Sequence, residues 1–149
     1  MPTRIVDIHP HIISTDTRRY PITPLGGKRS AWSSERPITF EQLVAAMNEA
    51  GVAKAAIVHS STTYGFNNDY VADVVAGHSD RFTATFSVDV LAPDAPEKMR
   101  YWYLKKLTGM RIYSGGSNIA MEVRLDDPRS FPAWECAEQL GIPVAISLF

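Results

Sequence analysis

Cysteine is nearly missing from this sequence: Cys136 is the one such residue among 149. A single thiol closes no internal disulfide and builds no cysteine-rich zinc site. It fits a reducing compartment, and a cytoplasmic location is the expectation. A block of one charge is missing too. Fifteen Lys and Arg stand against sixteen Asp and Glu, for a formal net charge of -1. Surfaces for nucleic acid or anionic membranes concentrate Lys and Arg, so neither partner is expected. No apolar run reaches the roughly 18 residues that a membrane-spanning helix needs. Met1 to His11 carries Arg4, Asp7 and two histidines, which is no apolar core of a signal peptide. There is no low-complexity segment, and no glycine-rich phosphate fingerprint directly follows any predicted strand. What remains is ordinary: 45% hydrophobic and 21% charged residues, the make-up of one soluble globular domain over residues 1–149.

Along the chain, strand and helix signals alternate. Residues 4–9 (RIVDIH) read as a first strand, rich in β-branched side chains and followed by Pro10. Residues 12–38 read as a long irregular loop with Pro21, Pro24, Gly26, Gly27 and Pro37. Thr39 and Gln42 then form a capping-box pattern, with Phe40, Leu43, Val44 and Met47 at helical spacing and Gly51 as the stop. Residues 55–59 form a second strand. A polar loop over 60–67 leads to a helix near 68–76, ended by Gly77. Residues 81–88 form a third strand. Asp94 and Glu97, with Pro96 in the first turn, open a helix through Met99, Trp102, Tyr103 and Leu107 that Gly109 closes. Residues 110–113 form a fourth strand. A loop with Gly115, Gly116 and Asp127-Pro128 precedes a helix over 131–140, closed by Gly141, and residues 142–149 form a fifth strand.

Such alternation implies α/β architecture, with parallel strands joined by right-handed crossovers. Apolar runs such as AAIV and PVAISLF suit strands covered on both faces. Two arrangements satisfy it: an open flavodoxin-like parallel sheet, or the N-terminal portion, about five strands, of a (β/α)8 TIM barrel. In either, a terminal apolar strand leaves an edge to be covered.

One constellation carries chemistry. Asp7, His9 and His11 stand at i, i+2 and i+4, which places them on one face of an extended strand. Two imidazoles about 7 Å apart along that strand can converge on one divalent metal, zinc above all, at the strand's C-terminal end. The plainer alternative is a pair of caps or solvent contacts. Arg111, at the end of the fourth strand, can grip a carboxylate in a bidentate fork or form a surface salt bridge. Ser60, Ser61 and Tyr64 follow the second strand and can bond substrate oxygens or merely start a turn. Asn67 and Asn68 read as helix-start residues, His59 as a hydrogen-bonded core histidine, and His78 as a contact at a helix end. Asp89 reads as a turn or cap, and Lys28 and Arg29 as solvated loop charges. Cys136 and the aromatics Trp102, Tyr103, Phe131 and Trp134 read as packing or interface residues.

The stretch VDIHPH resembles the first-strand D-x-H-x-H signature of the amidohydrolase superfamily. More narrowly, it resembles the amidohydrolase-related group of 2-pyrone-4,6-dicarboxylate lactonase-like hydrolases and aminocarboxymuconate and resorcylate decarboxylases. AGVAKAAIVHSS, SDRFTATFSVD, LTGMRIYS and LGIPVAISL are similar, in order, to that group's first helix end with second strand, and to its third, fourth and fifth strands. The resemblance covers essentially the whole chain but only the N-terminal half of the family's barrel. It implies a barrel domain truncated on its C-terminal side, with His9 and His11 as metal ligands. The metal implied is divalent, zinc first and manganese second; some lactonase-like members work without one. Further ligands would be a middle-strand histidine, which the fifth strand VAISLF lacks, and an aspartate of the eighth strand. The implied activity is hydrolysis of an ester, lactone or amide bond in a small anionic, carboxylated substrate. A lyase reaction (decarboxylation or hydration) on the same scaffold is one alternative, and a non-catalytic flavodoxin-like binding domain another. The expected general-base aspartate lies outside this chain. The chain by itself is therefore expected to lack a complete active site, its open edge covered in a homo-oligomer or by a partner completing the barrel.

Overall fold

The computed structural model describes residues 4–114 and 125–148. Chain order runs β1 (Ile5–Asp7), α1 (Ala31–Glu35), α2 (Phe40–Glu49), β2 (Val52–Ile57), α3 (Ser61–Tyr64), α4 (Asp69–His78) and β3 (Phe82–Ser87). It continues with α5 (Ala95–Leu104), β4 (Gly109–Ser114), α6 (Phe131–Leu140) and β5 (Val144–Leu148). All four neighbouring strand pairs are parallel, and the sheet order is β1-β2-β3-β4-β5. That order decides between the two arrangements. A doubly wound sheet reverses direction at a switch point, giving 2-1-3-4-5 in the flavodoxin type. Here every crossover steps the same way, as in a barrel, so the flavodoxin-like alternative is overturned. The five strands are an N-terminal partial (β/α)8 barrel.

Side-chain alternation sets the layers. Ala55 and Ile57 of β2, Ala84 and Phe86 of β3, and Met110 and Ile112 of β4 are buried in the hydrophobic core. Helix residues such as Met47, Val75 and Met99 belong to the same core. The two outer strands leave apolar side chains in the open: Val6 of β1 is 51% exposed, Ile8 just beyond it 75%, and Ile146 of β5 40%. Among the described residues, no helix is long and apolar enough to cross a membrane.

Local signals predicted some boundaries well. The Thr39 side chain accepts from Gln42 N–H while the Gln42 side chain takes the Thr39 N–H, a complete capping box at α2. Thr39→Ala is expected to cost about 1 kcal/mol in a urea melt; an unchanged melt would show that the cap contributes nothing. α6 matches its predicted span and ends at Gly141 in the left-handed conformation.

Other boundaries moved for identifiable reasons. β1 stops at Asp7, whose carboxylate accepts the His9 N–H at 3.0 Å and turns the chain. β2 begins earlier and ends before His59. The 12–38 segment is not wholly irregular: it holds a 3-10 turn at Leu25–Gly27 and α1. Gly77 lies inside α4 rather than ending it. α5 ends at Leu104; Lys106 adopts the positive φ, 71°, that follows it, and Gly109 opens β4. The Asp94 side chain makes no cap bond and instead pairs with Lys98 at 2.8 Å. The loop glycines Gly115 and Gly116 lie outside the described residues.

Candidate active site

The C-terminal ends of the strands, where barrel enzymes build their sites, gather the chemistry of this chain. His9 and His11 follow β1 in a turn rather than within the strand. Their ring centroids are 5.1 Å apart and nearly perpendicular, at 85°. His11 Nδ1 lies 2.7 Å from the Val58 carbonyl. A carbonyl only accepts, so Nδ1 carries the proton and Nε2 keeps its lone pair. Burial pulls the His11 pKa down, the Val58 bond opposes this, and the nearby His9 and Arg111 add to the lowering. The result is a neutral imidazole whose Nε2 is a donor for a metal or acceptor for a proton.

Trp32 packs on the His11 ring with centroids 5.1 Å apart. Its position comes from α1. Ser30 ties the start of that helix to Thr62 through both backbone (3.3 Å) and hydroxyl (2.9 Å) bonds. A neighbouring crossing is equally tight: Gly65, at φ 58°, lies against the Thr23 carbonyl where a Cβ would collide with it.

Arg111 is the third residue of β4, inside the strand rather than at its end, and is only 8% exposed. Its Nη1 donates to His9 Nε2 at 3.3 Å across 102 residues of sequence. Its Nη2 donates to Ser147 Oγ of β5. Its Nε is buried and has no hydrogen-bond partner among the described residues. Burial lowers its pKa, but a guanidinium in protein remains protonated.

Behind these groups lies a buried polar wall. His59 is 1% exposed; its Nε2 donates to the Asn67 carbonyl at 2.8 Å, and its Nδ1 faces Ser61 Oγ at 3.3 Å. Desolvation pulls its pKa to about 4, against the pull of the Asn67 bond. Ser87 Oγ donates to the Arg111 carbonyl at 2.9 Å, which leaves it to accept from Ser61 Oγ, also at 2.9 Å. The Ser60 hydroxyl donates to Thr63. Both serines thus turn oxygen lone pairs, rather than free protons, toward their surroundings. Tyr64 stands apart: its hydroxyl accepts the Ser14 N–H at 2.7 Å, fixing the long loop.

Together His11, Trp32, Ser60, Ser61, Arg111 and Tyr113 wall a cavity of about 180 Å³. Of the sequence-predicted residues, His11, Ser60, Ser61 and Arg111 line this cavity; His9 does not line it but bonds Arg111, and Tyr64 does not line it.

A family model for amidohydrolases matches residues 6–148. The chain belongs to the amidohydrolase family.

Solved structures agree with this amidohydrolase in fold. A probable 2-pyrone-4,6-dicarboxylic acid hydrolase from Acinetobacter baumannii, solved with citric acid bound, superposes with a TM-score of 0.76 at 15% identity. The match covers 97% of this chain and 49% of that one. A 5-carboxyvanillate decarboxylase from Sphingomonas paucimobilis gives 0.67 at 19% identity, over 96% of this chain and 51% of that one. A dihydroxybenzoic acid decarboxylase from Polaromonas, with bound manganese and 2-nitroresorcinol, gives 0.66 at 16% identity, over 96% and 48%. The chain therefore spans about half the length of these structures. A comparison with curated proteins finds no match.

Whether the amidohydrolase residues suit a metal can be tested on their geometry. Two imidazoles on one tetrahedral ion, each nitrogen about 2.1 Å from it, hold their ring centroids about 5 Å apart. The observed 5.1 Å fits that spacing. No third His, Cys, Asp or Glu joins them into a metal-binding group among the described residues. The pair would supply at most two ligands, and an ion needs more than two.

Sequence reasoning missed three participants. Trp32 sits in a five-residue helix, too short for a periodic signal. Tyr113 follows Arg111 by two residues and shares its side of β4, a relation available from strand alternation. Asn68 occupies the N-cap position of α4 but makes no cap bond; its fully buried side chain bonds Ser87 instead.

Proposed function

We propose that this site serves hydrolysis of an ester, lactone or amide bond in a small carboxylated substrate. Arg111 holds the carboxylate, and His9 and His11 contribute two ligands to a divalent metal, zinc by the chemistry of paired imidazoles. The observation that carries the reading is the Arg111 Nε. It is a buried, charged donor without a partner among the described residues, on a residue that lines a cavity. An unmet donor on a buried cation is costly, and an incoming carboxylate removes the cost.

When bound, the metal supplies Lewis acidity toward a carbonyl oxygen. This chain's own residues do the rest of what it contributes. Arg111 orients the substrate by its carboxylate. Trp32 and Tyr113 wall the cavity with aromatic rings, which suits a planar substrate. The neutral His11 keeps its Nε2 lone pair available, with Val58 holding the other nitrogen. The oxygens of Ser60 and Ser61 accept from a hydroxyl on the substrate or from water. Tyr64 acts at one remove by holding Ser14. The remaining barrel strands supply the general base and the further ligands; the apolar Val6 and Ile146 on the open strands, with Ile8 just past β1, are the surface on which a barrel-completing partner, or a second copy, packs.

Binding tests this most directly. Calorimetric titration of the chain with 2-pyrone-4,6-dicarboxylate and with benzoate should show Arg111→Gln weakening binding at least about tenfold, the effect of one lost charge-assisted contact. Equal affinity in wild type and variant would remove Arg111 from the substrate site. With the barrel completed, ring opening of a lactone supports the hydrolase; release of CO₂ from carboxylated phenols moves the assignment to a lyase.

A further inference from the structure

We propose that Arg111 and a divalent metal ion compete for the same lone pair on His9, so that Arg111 sets the metal affinity of the site and a bound carboxylate raises it. This rests on the reading of His9 and His11 as metal ligands. A guanidinium has only N–H donors. The contact from Arg111 Nη1 at 3.3 Å therefore fixes His9 Nε2 as an acceptor, with the ring proton on Nδ1. An imidazole nitrogen has one lone pair, in the ring plane. It can accept from Arg111 or bind a metal through that nitrogen, and not both. His11 carries no such conflict, because its bond to Val58 uses the other nitrogen.

Charge works in the same direction. A divalent ion bound by His9 stands beside the positive guanidinium in a partly buried setting, where repulsion is weakly screened. The guanidinium is held in place from its other side by Ser147 of β5. Its Nε has no hydrogen-bond partner among the described residues. A carboxylate that engages Arg111 gives that donor a partner, neutralises the charge, and draws the fork away from His9. Metal and carboxylate then favour one another, and the coupling is reciprocal by thermodynamic necessity.

The test is the affinity of the purified chain for Zn²⁺ alone, by competition with a chromophoric chelator, and for Co²⁺ by its ligand-field absorption. Arg111→Gln is expected to bind Zn²⁺ at least about tenfold more tightly than wild type. The double variant Arg111→Gln with His9→Ala is expected to lose that gain. Benzoate at saturation is expected to tighten Zn²⁺ binding in wild type and to leave the Arg111→Gln chain unaffected. Should Arg111→Gln fail to fold by circular dichroism, the wild type still reports: Zn²⁺ addition must shift the side-chain ¹⁵N resonances of Arg111 together with those of His9. Histidine-dependent Zn²⁺ binding that is unchanged or weaker in Arg111→Gln overturns the competition and leaves the metal site standing. Zn²⁺ binding with unmoved Arg111 resonances does the same. No histidine-dependent Zn²⁺ binding in either chain overturns both.

Discussion

Replacing Asn68 with leucine is expected to cost about 3–5 kcal/mol of folding stability, read as a lowered urea midpoint with an unchanged slope. The side chain is fully buried. Its Oδ1 accepts the Ser87 N–H at 2.7 Å, and its Nδ2 donates to the carbonyls of Ser87 (2.9 Å) and Phe66 (3.1 Å). Leucine is close to asparagine in volume, so little of the loss comes from a cavity. It comes from leaving polar groups at the end of β3 without partners and without water. Asn68→Asp keeps the acceptor for Ser87 N–H and loses the donor, and should fall between. A loss below about 1 kcal/mol for the leucine variant would show that the strand end does not depend on this side chain. The effect reaches the candidate site, because Ser87 also donates to the Arg111 carbonyl.

Acid should destabilise the fold through His59. Its folded pKa is depressed to about 4 from the ordinary 6.5, first by desolvation and further by the nearby Arg111 guanidinium and by any proton that His11 takes up in acid, against the pull of the Asn67 bond. Below pH 6.5 the unfolded chain takes up a proton that the folded chain refuses. Stability therefore falls as pH drops from 6.5 to about 4 and levels off for this group beneath that. The depression corresponds to about 3 kcal/mol. His11, also lowered by burial, acts with the same sign. Urea midpoints across that range should drop steeply in wild type and more gently in His59→Gln. Parallel pH profiles for the two would mean that another group drives the acid sensitivity.

What was legible and what was not divide along sequence distance. The His59 bond to Asn67 spans eight residues, and the core reading of His59 followed from its place near the end of an apolar strand. The Asn68 bond to Ser87 spans nineteen and joins two elements. Asn68 looked like a cap because asparagine before a helix usually is one; packing turned its side chain inward instead. Gly77 and Gly109 looked like helix stops for the same statistical reason. In α4 the tertiary contacts carry the helix one residue beyond Gly77, at the modest cost glycine imposes there.

By itself the sequence determined the alternation of parallel strands and helices, the capping box at Thr39, the left-handed stop at Gly141, and the pairing of two histidines near the C-terminal end of the first strand. Each of these depends on interactions within a few residues, where the chain has little freedom to choose otherwise. Only the tertiary structure decided that the sheet steps one way, as a barrel does. The same holds for Arg111 reaching His9 across 102 residues and for Trp32 lying on the His11 ring. Those contacts depend on how successive crossovers add up, and residue spacing along the chain carries no record of that sum.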